Sequence, residues 1–365
     1  MIQIQTTKYK LKLTSAQKAV FEQWLGVCRF VYNLGLEWKI YAWKQRRKSI
    51  SKFDLIYQLP DLKQEADWLK EVPAQSLVAV MERLDRSFQN FFKQGSGFPK
   101  FAKKDFYTSF LIKQHIRIEG NQIKLPKIGK VKFFNSKAIQ GKIKNATVKK
   151  EADGWYICVV HESQIIPKKS GFGKIGVDLG IKYFAVTSKE EYIQHPKTYL
   201  RYQAELRILN RKLARAKRGS ANRNQVKQQL SKLHLKIKRC RQDFLHKESS
   251  KLVNENQVIV LEDLNVQGMM RNKHLSKYIS DSGWSEFGHM VEYKTQWQEK
   301  VLEWKAPHYT SQTCSECGYT HKDNRKSQSL FECQRCGYKD NADLNASKNL
   351  SGSGRTTETQ RKAVA

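Results

Sequence analysis

The chain has 365 residues, enough for two or three domains of ordinary size. Its 67 Lys and Arg against 34 Asp and Glu leave a net charge of +33, too large an excess for solubility alone, and nucleic acid is the commonest partner of such a field. With 39% hydrophobic residues and 11% aromatics it can fill a core, which excludes a basic disordered tail, and no apolar run approaches the roughly 18 residues of a membrane span.

Residues 1–13 alternate apolar and polar side chains with Lys8, Lys10 and Lys12 interleaved, the pattern of an opening strand and not of a signal peptide. Thr14-Ser15 can cap a helix reaching about Arg47, with Phe21, Leu25, Cys28 and Tyr32 on one stripe. After Pro73 a second helix places Leu77, Met81, Leu84, Phe88 and Phe91 at amphipathic spacing and stops at Gly95-Ser96-Gly97. From about 108 to 162 the pattern turns to short strands, with hairpin signals at Gly120-Asn121 and Asp153-Gly154. These strands and the opening one suggest a single barrel with the helices inserted into it. Lys168-Lys169-Ser170-Gly171 reads as a linker. A second sheet begins at Lys174 to Gly180 and continues through Tyr183 to Ser188. Residues 198–253 are helical, broken at Gly219-Ser220. Between 201 and 241 stand fourteen Lys and Arg and one acid, Glu205, too lopsided for salt-bridge lacing, so a phosphate-facing helical hairpin is expected. Gln257 to Leu264 is a buried strand ending in acids, followed by a helix near 284–298, a strand near 300–304 and a cysteine cluster. Residues 351–365 lack apolar periodicity and read as a disordered tail.

Two motifs carry chemistry. Cys314-Ser315-Glu316-Cys317 and Cys333-Gln334-Arg335-Cys336 are two knuckles, each followed by a glycine, and four thiolates at this spacing close a tetrahedron around one Zn²⁺. With no open position that zinc is structural. Seven cysteines, four of them in this cluster, also suit a reducing compartment, so a cytoplasmic protein acting at the nucleoid is expected. Cys28, Cys158 and Cys240 read as packed free thiols. The second motif is a set of carboxylates ending apolar or tightly turned segments: Asp178, Glu262 and Asp343. Singly, each can be a turn cap. Together they suit phosphodiester hydrolysis, in which two Mg²⁺ about 4 Å apart clamp the attacking and leaving oxygens.

Gly176-Val177-Asp178-Leu179-Gly180, the strand Ile259 to Leu264, and the block from Ser311-Gln312-Thr313-Cys314 to Asp343-Leu344-Asn345-Ala346 together resemble TnpB, the transposon-encoded RNA-guided nucleases ancestral to type V CRISPR effectors. The likeness extends through Phe98-Pro99-Lys100-Phe101 to the amino terminus and covers residues 1–350. It implies a multidomain α+β chain. A wedge β-barrel would comprise residues 1–13 and 98–165, with a helical recognition lobe at 14–97. An RNase H-like (RuvC) α/β nuclease domain would comprise 170–305 and 338–350, with a zinc ribbon inserted at 306–337. It implies a guide RNA from the transposon end, a double-stranded DNA target with a short adjacent motif, and Mg-dependent cutting of both strands at one site. Asp178, Glu262 and Asp343 match the metal-binding acids, with Asp340 the weaker choice for the third. Gln75 and Ser76 fall where relatives read the adjacent motif, and Arg325 resembles a nucleic-acid-contacting arginine. Arg211, Lys212, Arg215 and Arg218 are the leading phosphate contacts on the basic hairpin.

Other signals are weaker. The nine histidines show no metalloprotease pairing, and no P-loop occurs. Trp24, Trp38, Trp43, Tyr107 and Phe110 lie among basic residues and suit either base stacking or a core, and helical spacing favours the core. The rivals to a guided endonuclease are a nuclease-dead guided repressor, a compact type V CRISPR effector and a strand-transferring transposase. The presence of all three acids weighs against the first.

Overall fold

The computed structural model describes residues 2–164, 167, 173–307, 309–327 and 329–352. Two compact units divide it, Met1–Gln164 and Ile165–Ala365. The linker expected at 168–171 and the tail from 353 onward lie outside the described residues. Ser351, assigned above to the tail, instead closes the last helix, with Gly352 as its cap.

The first unit runs β1 (Ile2–Lys12), α1 (Ser15–Arg46), α2 (Lys52–Tyr57), α3 (Leu59–Glu65), α4 (Ala74–Gln94), β2 (Ser109–Ile112), β3 (Arg117–Glu119), β4 (Gln122–Leu125), β5 (Gly129–Phe133), β6 (Ile143–Glu151) and β7 (Gly154–Gln164). Thr14 starts α1 through a reciprocal box. Its hydroxyl accepts from the Gln17 N–H, and the Gln17 side chain accepts from the Thr14 N–H, both at 3.2 Å. α4 begins after Pro73 and buries Leu77, Met81 and Leu84. Truncating Leu84 to alanine there costs about 2–5 kcal/mol.

The strands form one antiparallel sheet in the order β2-β6-β7-β1-β5-β4-β3. β1 joins its halves, with residues 2–10 pairing with β7 and Leu11 and Lys12 pairing with β5. Among the described residues the order is open, with β2 and β3 at its ends, where the sequence suggested a closed barrel. The helices share the sheet's core. Phe21 of α1 meets Phe110 of β2 and Trp155 of β7, with ring centroids at 5.5 and 5.3 Å. Trp24, Tyr107 and Phe110 are all buried, so these aromatics are core and not stacking surfaces.

The second unit runs β8 (Lys174–Leu179), β9 (Tyr183–Thr187), β10 (Tyr192–Gln194), α5 (Thr198–Arg215), α6 (Ala221–Glu255), β11 (Val258–Glu262), α7 (Val266–Met269), α8 (Ser276–Ser282), α9 (Trp284–Trp297), β12 (Val301–Lys305), β13 (Phe331–Glu332), β14 (Lys339–Asp340) and α10 (Ala342–Ser351). Its main sheet has the order β10-β9-β8-β11-β12, antiparallel among the first three strands and parallel from β8 through β12. Parallel neighbours need crossovers, which helices α6 and α9 supply. Lys300 closes the first of these by donating to the terminal carbonyls of Val253 and Asn254 on α6.

Helices α5 and α6 make the expected hairpin, with a small core of their own in Leu206, Leu209, Leu233 and Ile237. Arg223 faces inward and donates to the carbonyls of Leu213 and Ala216, closing the turn. Cys240 on α6 is exposed, contrary to the packed thiol expected there. No described helix is long and apolar enough to cross a membrane.

Candidate active site and metal centre

Strand register brings the first two acids together. Leu261 pairs with Val177 in parallel, so Glu262 and Asp178 follow side by side where β11 and β8 end. Helix α10 delivers the third. It lies against the backbone of β8 at Gly176, where a Cβ would stand 2.1 Å from the Ser347 carbonyl oxygen and 2.5 Å from the Ser351 nitrogen. Only glycine permits that approach. Asp343 is one turn before Ser347 on this helix. Asn341 caps its first turn, accepting from the N–H groups of Asp343 at 2.9 Å and Leu344 at 3.2 Å.

Burial raises all three carboxyls, and Asp178 also feels the charges of the other two. Burial pushes Asp178 well above the usual carboxylate range, and the charges of Glu262 and Asp343 push it further, against the pull of Arg325. Burial also raises Glu262, offset by Arg325 and by a 2.6 Å hydrogen bond donated by the Thr310 hydroxyl. Asp343 is raised by burial and held back by Arg325 and Lys182. Such a cluster is costly without a cation, and its hard oxygen donors suit Mg²⁺.

Asp340 has a different environment. Burial would raise its carboxyl, but hydrogen bonds from Lys348 at 2.8 Å and Tyr338 at 2.5 Å hold it below the usual range. Its lone pairs are committed to a structural pair on the β14 side of α10.

The four knuckle cysteines converge as their spacing predicts, with all sulfurs within 4.8 Å of one another. Sγ of Cys314 lies 3.7 Å from that of Cys336, and Sγ of Cys317 lies 3.5 Å from that of Cys333. A tetrahedron with Zn–S bonds of about 2.3 Å has edges of about 3.8 Å, so the thiols fit zinc. Gly318 and Gly337 hold φ of 72° and 73°, the left-handed turns that let each knuckle close. Among the described residues no other group of His, Cys, Asp or Glu gathers as tightly. The three acids are more loosely spaced, with Asp178 feeling the charges of Glu262 and Asp343.

Two asparagines that the sequence reading passed over join ribbon to site. Asn345, fully buried on α10, accepts from the Ser315 N–H and donates to the Thr313 carbonyl. Asn324 is also fully buried. It donates to the carbonyls of Gln312 and Tyr319 and accepts from the Gln334 N–H, stitching the two knuckles together. The next residue, Arg325, then reaches the third acid, with Nη2 3.4 Å from Oδ1 of Asp343. The sequence offered Arg325 as a nucleic-acid contact, and the structure places it on an acid of the cluster. Thr310, Asn324 and Lys182 had no local signal, whereas Asn345 stood in plain sight inside its motif.

The remaining candidates lie elsewhere. Gln75 is exposed at the start of α4. Ser76 beside it is buried, 1% accessible, so its hydroxyl faces the core and not a ligand. Arg211, Lys212, Arg215 and Arg218 are exposed at the end of α5 and the turn after it, and none forms an ion pair among the described residues.

Comparison with known proteins matches three segments of the chain. A family model described as "Probable transposase" (OrfB_IS605) matches residues 156–273, and a "Cas12f1-like, TNB domain" model matches 284–350. A helix-turn-helix model matches residues 1–48, which here form one strand and one long helix. The chain is 32% identical to "Putative RNA-guided DNA endonuclease InsQ" of Escherichia coli (strain K12), over 97% of this chain and 93% of the relative. It is 29% identical to a "Putative RNA-guided DNA endonuclease" of Streptomyces pristinaespiralis, over 95% and 88%. The solved structure of a Cas12f1–sgRNA–target DNA complex superposes with a TM-score of 0.61 at 16% identity, covering 93% of this chain and 83% of that one, which is a likeness of fold.

Proposed function

The chain belongs to the TnpB family of RNA-guided DNA endonucleases, and from that membership we propose that it cuts DNA phosphodiester bonds at Asp178, Glu262 and Asp343 after a guide RNA has paired with its target. The observation that carries the reading is the convergence of three acids from two strand ends and a helix start, each raised by burial and Asp178 raised further by the charges of the other two. The strand order beneath them, antiparallel from β10 to β8 and parallel from β8 to β12, supports the reading of an RNase H-like domain.

Two Mg²⁺ ions held by these carboxylates would polarise the scissile phosphate and activate the attacking water. The chain's own residues prepare that site. Thr310 fixes one Glu262 oxygen. Arg325 pairs with Asp343 in the resting protein and can meet a phosphate there, where its forked donors suit phosphate oxygens. The zinc ribbon, through Asn324 and Asn345, sets where Arg325 and Asp343 stand. Outside the site, the α5–α6 hairpin supplies cations for the backbone of guide RNA or heteroduplex, whose shape the protein reads while base pairing reads sequence. The strands and helices of residues 1–165 serve as wedge and recognition lobe, with exposed Gln75 the remaining candidate to read the motif beside the target. The guide comes from the transposon end, and the products carry 5′-phosphate and 3′-hydroxyl ends.

Purified protein carrying a co-expressed transposon-end RNA tests this on plasmids with a matching target beside a randomised motif. Mg-dependent linear product with 5′-phosphates supports it. Binding without cutting points to a guided repressor, and DNA joined to a new strand points to a transposase.

A further inference from the structure

The first unit holds an open cavity of about 800 Å³ between the end of α1, the start of α2 and the last turns of α4. It is far from being a satellite core. Its walls include Trp43, Phe53, Phe92 and Phe98, which are 53%, 57%, 74% and 47% exposed, with Phe88 and Phe91 beneath them. Leaving this many large rings in water is costly, and clustered exposed aromatics mark a binding surface.

The rim is cationic. Lys44, Lys48 and Lys52 line the cavity, with Arg46 and Arg47 in the same stretch, and residues 43–52 contain no acid. Among the described residues none of these five makes an ion pair, whereas Lys39 at the floor is tied to the Ile50 carbonyl. Asp85 is the one acid on the wall, and it accepts from Gln89. Arg47 lies over the Trp43 ring and Lys52 over the Phe53 ring, so flat apolar rings edged by cations that no acid neutralises complement a ligand that is itself flat, apolar-faced and polyanionic.

Charge selects among occupants. A second copy would bring the same basic rim and a chain of +33 against it. A duplex hides its base faces, so the ligand must be single-stranded. We infer that this aromatic cavity is a stacking pocket for unpaired bases of RNA, with Lys44, Lys48 and Lys52 on the flanking phosphates. The choice of RNA rests on the guided-nuclease reading, while the stacking chemistry rests on the cavity alone.

The test uses the full-length protein and fluorescent single-stranded 12-mers: an unstructured RNA, the same RNA with abasic sites, and the matching DNA. Phe92→Ala combined with Phe53→Ala should weaken the ordinary RNA by about tenfold or more and leave the abasic RNA unchanged, because stacking needs a base. Both rings are exposed, so the thermal melt should not move. In the unmodified protein, ultraviolet cross-links to a uridine-rich RNA should map to peptides containing Trp43 or Phe92. An equal loss on abasic RNA, a loss confined to DNA, cross-links mapping elsewhere, or self-association abolished by the double variant would each overturn the inference. Cleavage is not read, so failure of guided cutting and failure of this pocket are separate results.

Discussion

The second unit contains two sets of anionic ligand groups, and they are built in opposite ways. Four thiols come from two short knuckles, stitched by Asn324, and stand within 4.8 Å of one another. Three carboxylates come from β8, β11 and α10, spaced more loosely, each pushed upward by burial. The thiols saturate a tetrahedral ion and leave nothing for a substrate. The carboxylates leave coordination positions open and pay for their closeness in repulsion until a cation arrives. A closed set suits a structural ion and an open one suits chemistry, and the ribbon is coupled to the acids through Arg325 and Asn345.

The comparison breaks most visibly if the open set is dispensable. Asp178→Ala or Glu262→Ala should lower guided cleavage on the order of a thousandfold or more, with guided binding nearly unchanged in a gel-shift assay, because each acid supplies charge at the scissile phosphate and not affinity for the duplex. Retained cutting in either variant would remove it from the centre. For the closed set, elemental analysis should find about one Zn²⁺ per chain, and Cys333→Ser should lose it. Cleavage should then fall sharply because Arg325 and Asp343 are misplaced, even though no carboxylate has changed. Full activity in a zinc-free variant would uncouple the two sets.

A smaller effect separates both sets from the basic hairpin. Neutralising Arg211, Lys212, Arg215 and Arg218 together should weaken RNA binding and reduce the log–log salt slope by about 3, with little change in the melt of the free protein. These exposed charges contribute little to folding. A large drop in melting temperature with an unchanged slope would make the hairpin a brace.

The smallest effect reads the repulsion itself. A carboxyl raised on folding contributes stability below the unfolded carboxylate pKa and loses it as pH rises through the folded value. In chelator, Asp178→Asn should therefore raise the melting temperature at pH 7 by a few degrees and have little effect near pH 3. In the native protein, added Mg²⁺ competes with protons for the same oxygens, so cleavage should increase as pH rises above the ordinary carboxylate range, and more Mg²⁺ should shift that increase to lower pH. A destabilised Asp178→Asn at pH 7 would mean the carboxylate is a structural acceptor.

Much of this organisation was legible in the residues. The cap at Thr14, the stop at Gly95, both hairpins and the cysteine knuckles are local devices, and local devices are written in consecutive positions. The three acids could be named because each ends a segment with its own pattern. What escaped depends on contacts distant in sequence. Ser76 is one position from exposed Gln75, and only the packing of α4 turns its hydroxyl inward. Arg325 looked like a free cation because its partner, Asp343, arrives through the ribbon fold. Thr310 reaches Glu262 across 48 positions with no periodicity to announce it. The expected barrel remains an open strand order because alternation marks strands but does not say whether the last one meets the first. Cys240 was misjudged since it lies on the exposed face of α6, while Ile237 and Leu245 on either side of it along the helix are buried.

The central claim is that Asp343, and not Asp340 three residues before it, completes the catalytic set. Single-turnover cleavage of a guided target by Asp343→Ala and Asp340→Ala, each checked for zinc content and guided binding, tests it most directly. The account predicts that Asp343→Ala is inactive while Asp340→Ala, having lost only its pairing with Lys348 and Tyr338, still cuts. An active Asp343→Ala beside an inactive Asp340→Ala would contradict it.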